Sequence, residues 1–98
     1  MVEVRWTPQA AEDLHSIVEF IARDSSQYAR LLVVDIFQAV ERIAAFPQSG
    51  RIVPELDDPI VREVILGNYR LVYRLKDASL ELLTIYHGAR LLDPSKLG

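Results

Sequence analysis

The chain has 98 residues, half of them hydrophobic, with no cysteine and a formal net charge of −3. That length suits one small domain, residues 1–98, and not two. Disulfides and thiolate metal sites are excluded, tight nonspecific binding to nucleic acid is disfavoured, and no apolar run is long enough to cross a membrane. The opening Met-Val-Glu-Val-Arg-Trp lacks the apolar core of a signal peptide, so a cytoplasmic location is expected.

Val2, Val4 and Trp6 alternate with Glu3 and Arg5, which predicts a short strand with one buried face. Thr7-Pro8 follows as a helix start, with Thr7 as N-cap and Pro8 at the first helical position. Leu14, Ile17, Val18 and Ile21 then form one apolar stripe, predicting a helix over about residues 8–23. Glu12, Asp13 and Glu19 fall on its polar side and read as solvated. His15 falls at the stripe's edge and reads as structural or solvated. Ser25 or Ser26 caps a second helix, about residues 26–46. Its stripe is Ala29, Leu32, Val33, Ile36, Val40, Ile43 and Ala44. Leu31, Val34 and Phe37 broaden that stripe. Such a broad face suits burial between the sheet and the first helix, or acceptance of a partner chain.

Pro47 and Gly50 end this helix, and residues 47–60 read as a loop with three prolines and one glycine. From residue 61 onward, apolar and polar residues alternate through three short runs. Gly67-Asn68 makes the first turn between them and Asp77-Ala78-Ser79 the second. This is the pattern of an antiparallel meander. The order strand, two helices, three strands implies an α+β fold with both helices on one face of a three- or four-stranded antiparallel sheet, the first strand joining beside the meander.

The middle strand of the meander carries the chemistry. Period-two alternation puts Tyr69, Leu71, Tyr73 and Leu75 on one face, which should meet the helices. Arg70, Val72, Arg74 and Lys76 then face away, towards solvent or a partner. Arg51, Arg62, Tyr86, His87 and Arg90 extend this face or its rim. Arginine stabilises developing phosphate charge and His87 titrates near neutrality, so an RNA-cleaving site is chemically feasible. Arginine clusters equally bind acidic protein surfaces. The two histidines, His15 and His87, lie on different elements and give no metal-site spacing. No phosphate loop, nucleophile elbow or zinc motif is present. No cofactor or metal is expected.

Three stretches together resemble the RelE/ParE superfamily of bacterial type II toxin–antitoxin toxins. They are residues 4–14 (VRWTPQAAEDL), residues 46–55 (FPQSGRIVPE), and Arg62-Glu63-Val64 followed by Tyr69–Tyr73 and Tyr86-His87-Gly88-Ala89-Arg90. The resemblance implies a growth-inhibiting toxin neutralised by a cognate antitoxin, with Leu31, Val34 and Phe37 as candidate contacts. RelE-like members cleave messenger RNA on the ribosome. In this chain that activity would fall on Arg70, His87 and Tyr86, with Glu55 as a further candidate base. ParE-like members share the fold but poison DNA gyrase without that nuclease site. The ribosomal nucleases are strongly basic and this chain is not. Its His-Gly-Ala-Arg also resembles ParE-type and plasmid-stabilisation members, so the leading expectation is gyrase inhibition without catalysis. Arg51, Arg62, Arg70, Arg74 and Arg90 are then the candidate target- or antitoxin-binding residues. A non-toxic interaction module of the same fold is the remaining alternative.

Overall fold

The computed structural model describes residues 2–88. Strand β1 (Glu3–Trp6) leads into helices α1 (Pro8–Ala22) and α2 (Ser26–Ala45). Strands β2 (Arg51–Ile52), β3 (Val61–Leu66), β4 (Tyr69–Lys76) and β5 (Ser79–His87) follow. The helix starts are where the caps predict them. The Thr7 hydroxyl accepts from the Ala10 amide at 3.1 Å, and the Ser25 hydroxyl accepts from the Tyr28 amide at 3.0 Å. Among the described residues, no helix is long and apolar enough to cross a membrane.

Among the described residues the sheet has five strands, in the order β1-β5-β4-β3-β2. The meander β3–β4–β5 is antiparallel, and Gly67 takes a φ of 57° in its first turn. β1 adds beside β5 as expected, but it runs parallel, from Glu3 opposite Ser79 to Trp6 opposite Leu82. The helical hairpin supplies the long crossover that lets distant strands pair in parallel. The fifth strand is the short β2, inside the segment read as loop. Two residues are too few for a visible alternation.

Where β1 stops, β5 continues, and its exposed edge needs other partners. Thr7 and Asp13 supply them. The Thr7 hydroxyl lies 2.9 Å from both the Leu82 and Leu83 carbonyl oxygens. The Asp13 carboxylate accepts from the Ile85 amide at 3.1 Å, from the Thr84 hydroxyl and from the Gln9 side chain. Asp13 is therefore not a solvated acid: it fastens α1 to the strand edge. α2 is consequently not sandwiched, because α1 reaches the sheet itself. His15 is exposed and pairs with Glu19 at 2.9 Å.

The main core lies between helices and sheet. Ile36, Ala39, Val40 and Ile43 of α2 pack with Leu71, Tyr73, Leu80, Leu82 and Ile85. A second cluster sits on the other face, where Val61, Val72 and Leu83 are covered by Val53 and Leu56. The segment between β2 and β3 is thus a strap across the sheet. Leu31, Val34 and Phe37 remain exposed on α2, at 57%, 51% and 47%. Phe37 leans on Trp6, with ring centroids 5.3 Å apart.

Candidate functional site

β4 has the expected register: Tyr69, Leu71, Tyr73 and Leu75 pack with the helix-side core and Val72 with the opposite cluster. The expected exposure of the arginine face is overturned at Arg70, while Arg74 stays partly open and Lys76 exposed. Arg70 is 6% exposed, because the strap and the neighbouring strands close around it. Burial of a guanidinium is tolerable only with charge and hydrogen-bond partners, and Arg70 has both. Its Nη1 and Nη2 donate to the two carboxylate oxygens of Glu55 on the strap, each at 2.9 Å. Its Nε donates to Glu63 Oε1 at 2.6 Å, and its Nη2 also pairs with that oxygen. Such a planar fork on a carboxylate is the strongest geometry available to arginine.

Glu63 is the hub. Its side chain is fully buried on β3, with Arg70 on one oxygen and Arg51 Nε on the other at 2.6 Å. Arg51 itself is largely exposed, so it closes the cluster from the solvent side. Arg62 turns the other way and donates to the Gly50 carbonyl at 2.9 Å. Arg74 is partly open and lies 3.7 Å from Glu81. Arg90, the remaining candidate, lies outside the described residues.

Tyr86 stands opposite Arg70 across the β4–β5 ladder, and the guanidinium carbon lies 4.9 Å from its ring centroid. Burial pushes the Tyr86 phenol up to about 12, against the pull of Arg70. The Glu55 hydrogen bonds raise the Arg70 pKa further above its ordinary value, against desolvation, and Glu63 adds to this. His87 is exposed at the end of β5, edge-on to Tyr69 at 5.9 Å. The fold thus brings together three of the residues read as a nuclease set, Arg70, Tyr86 and His87, and places Glu55 on Arg70 rather than free to act as a base.

The loop after α2 is shaped by one close approach. The Tyr73 hydroxyl donates to the Pro47 carbonyl at 2.7 Å and accepts from the Gly50 amide at 3.0 Å. A Cβ on Gly50 would lie 2.5 Å from that hydroxyl and 2.7 Å from the Glu63 carbonyl. Only glycine lets the chain pass here and deliver Arg51 to Glu63.

Two structural residues escaped the sequence reading, Glu63 and Asp13. A signal for Glu63 existed. It is in phase with Val61 on β3, and an acid in phase with a buried valine needs a cation. Asp13 carried no such signal, because its partners on the sheet are a backbone amide and a hydroxyl more than 70 residues away.

A family model for the ParE toxin of type II toxin–antitoxin systems, parDE, matches residues 4–92. The chain belongs to the ParE toxin family. Toxin RelE2 of Caulobacter vibrioides is 30% identical over 92 residues, covering 93% of this chain and 100% of the relative. The putative toxin Y4kP of Sinorhizobium fredii is 34% identical over 87 residues, covering 87% of this chain and 86% of the relative. Among solved structures, the chromosomal ParDE system from P. aeruginosa matches with a TM-score of 0.73 at 26% identity, covering 89% of this chain and 96% of that one. The RelBE2 toxin–antitoxin complex from Mycobacterium tuberculosis matches with a TM-score of 0.55 at 22% identity, covering 88% and 96%, a likeness of fold alone. The RelE/ParE resemblance read from the sequence is therefore membership in this ParE family. The family match includes the turn at Gly50, the Arg70 strand and the end of β5.

Proposed function

We infer that this ParE-family chain is the toxic partner of a toxin–antitoxin pair and acts by binding DNA gyrase, without catalysis of its own. The observation that carries the reading is the state of Arg70. A nuclease needs a guanidinium free to meet the charge that develops on the scissile phosphate. Here all three nitrogens of that guanidinium are engaged by Glu55 and Glu63. Tyr86 supplies no base at neutral pH, because its phenol stays protonated to about 12. With net charge −3, the chain also lacks the cationic surplus that ribosomal RNA binding demands.

The second reading, a ribosome-dependent endoribonuclease, draws on one observation. Arg70 and Tyr86 are directly opposed on adjacent strands, and His87 follows at the strand end. A side-by-side assay decides between them. Gyrase supercoiling inhibited with translated message intact is the expected result. Codon-positioned cuts in the message, lost in Arg70→Ala or His87→Ala, would overturn it.

The antitoxin is proposed to cover the exposed side of α2 at Leu31, Val34 and Phe37, folding as it binds. Arg51, Arg62 and Arg74 are proposed as further contacts, away from α2, for its acidic residues or for the target. Growth arrest on expression, rescued by the neighbouring open reading frame, is expected. Unimpaired growth with no copurifying partner would favour the non-toxic interaction module.

A further inference from the structure

We propose that the Arg70 fork is a carboxylate-binding site for an acidic side chain of a protein partner, filled in the free protein by Glu55 of its own strap. This goes beyond the toxin reading and does not depend on it.

Three features support the exchange. First, the strap is thinly attached. From Val53 to Ile60, only Val53 is buried and Leu56 half-buried, and the remaining residues are exposed. Glu55 keeps a 22% exposed side chain even while it binds Arg70. Second, the rest of the site persists without Glu55. Glu63 lies on the sheet itself and keeps Arg70 oriented through Nε, so the outward fork stays aimed. Third, Arg70 forms part of the wall of a cleft of ~350 Å³ at the hairpin end, with Arg51, Asn68 and His87. The cleft makes Arg51 and Arg70 neighbours of one solvent-filled opening.

Charge selects the ligand. With Glu55 withdrawn, Arg51 and Arg70 face the single charge of Glu63, leaving one net positive charge. A carboxylate monoanion restores neutrality and matches the fork in both oxygens. A phosphate carrying close to two charges would leave an excess of negative charge in a half-buried place.

The first test removes the internal occupant. In Glu55→Ala, sodium acetate should raise the melting temperature saturably, and more than sodium chloride or sodium phosphate at the same ionic strength. Wild type should show no such difference. If Glu55→Ala folds only with acetate present, acetate-dependent refolding is the same result. Acetate acting no better than chloride would overturn the proposal, and a larger effect of phosphate would overturn the carboxylate assignment. The second test uses the wild-type chain and a blocked tetraglutamate peptide. Displacing the strap should speed hydrogen exchange at Leu56 and Asp57, whose amides donate to the Val53 carbonyl. The peptide should bind Glu55→Ala about tenfold more tightly, because no internal competitor remains. Unchanged exchange together with equal affinity would show that Glu55 is a fixed structural residue.

Discussion

The two faces of the sheet are held by different forces. Towards the helices, Leu71, Tyr73, Leu80, Leu82 and Ile85 meet Ile36, Val40 and Ile43 in an apolar layer. Towards the strap, a small apolar cluster around Val72 adjoins the Arg51–Glu63–Arg70–Glu55 chain of charges. The apolar layer gains stability in proportion to area and tolerates exchange of one hydrophobe for another. The charged face depends on pairing: Glu63 and Arg70 are buried only because their partners are present. The helix face therefore makes the fold, and the strap face makes one arrangement of it. The first comparison between them uses truncations of similar burial. Glu63→Ala leaves the buried Arg70 Nε without its acceptor, with Glu55 still on the fork, and should cost roughly 1.5–3 kcal/mol. Ile36→Ala should cost roughly 2–5 kcal/mol through the cavity it leaves. Urea unfolding measures both. A cost below ~1 kcal/mol for Glu63→Ala would mean that the charges do not hold the strap face.

Gly50→Ala sharpens the contrast, because Gly50 touches both faces at once. Its added Cβ strikes the Tyr73 hydroxyl, which points from the helix-side core, and the Glu63 backbone of the charged side. Both neighbours are fixed by other bonds, so neither yields easily. Overpacking of this kind costs about 1–3 kcal/mol. The signature is a lower denaturation midpoint together with a shifted Arg51 signal in the NMR spectrum. A midpoint equal to wild type would show that the β2 turn is loose.

The two faces also differ in how much the sequence discloses. Periodicity carries the helix face: the α2 stripe, the β4 alternation and the Thr7 and Ser25 caps are local patterns, and each is realised. Arg70 was placed on the correct side of β4 by the same rule. Its burial was not legible, because the residues that close it come from a strap without periodicity and from Glu63 on the next strand. β1 was legible as a strand, but its parallel direction depends on where the helical hairpin returns. Long-range ion pairs and strand edges have no local code. That is why the site's chemistry, a satisfied guanidinium rather than a free one, emerged only in three dimensions.

A smaller effect separates the strand edge from both faces. Thr7→Ala removes the α1 cap and the hydroxyl that meets the Leu82 and Leu83 carbonyls. The expected loss is about 1–2 kcal/mol in thermal or urea unfolding. Thr7→Ser keeps the hydroxyl and should recover most of it. No recovery would assign the loss to the methyl group and not to the cap.

Alkaline titration compares the faces through one tyrosine from each. Tyr73 belongs to the helix-side core and Tyr86 to the strap side, and burial raises both phenols. For an acid whose folded pKa lies above its unfolded value, the neutral form is favoured in the fold. Stability from this source is present below pH ~10 and is lost as pH rises beyond it. The denaturation midpoint should therefore fall above pH 10, and Tyr86→Phe should lessen the fall. A midpoint independent of pH between 10 and 11 would show that neither phenol is withdrawn from water.

The smallest expected effect on stability belongs to the outer side of α2, which neither face of the sheet uses. Leu31 and Val34 are more than half exposed, so a serine at either position removes little buried area. Serine lowers helix propensity by only a few tenths of a kcal/mol relative to leucine. Leu31→Ser and Val34→Ser should each shift the denaturation midpoint by no more than ordinary surface changes do, roughly 0.5 kcal/mol. If this side receives the antitoxin, the double variant should lose copurification with it while the free chain remains as stable as wild type. A helix that merely tolerates stray apolar residues would keep its partner. Unchanged stability with unchanged copurification would place the antitoxin on some other surface of the toxin.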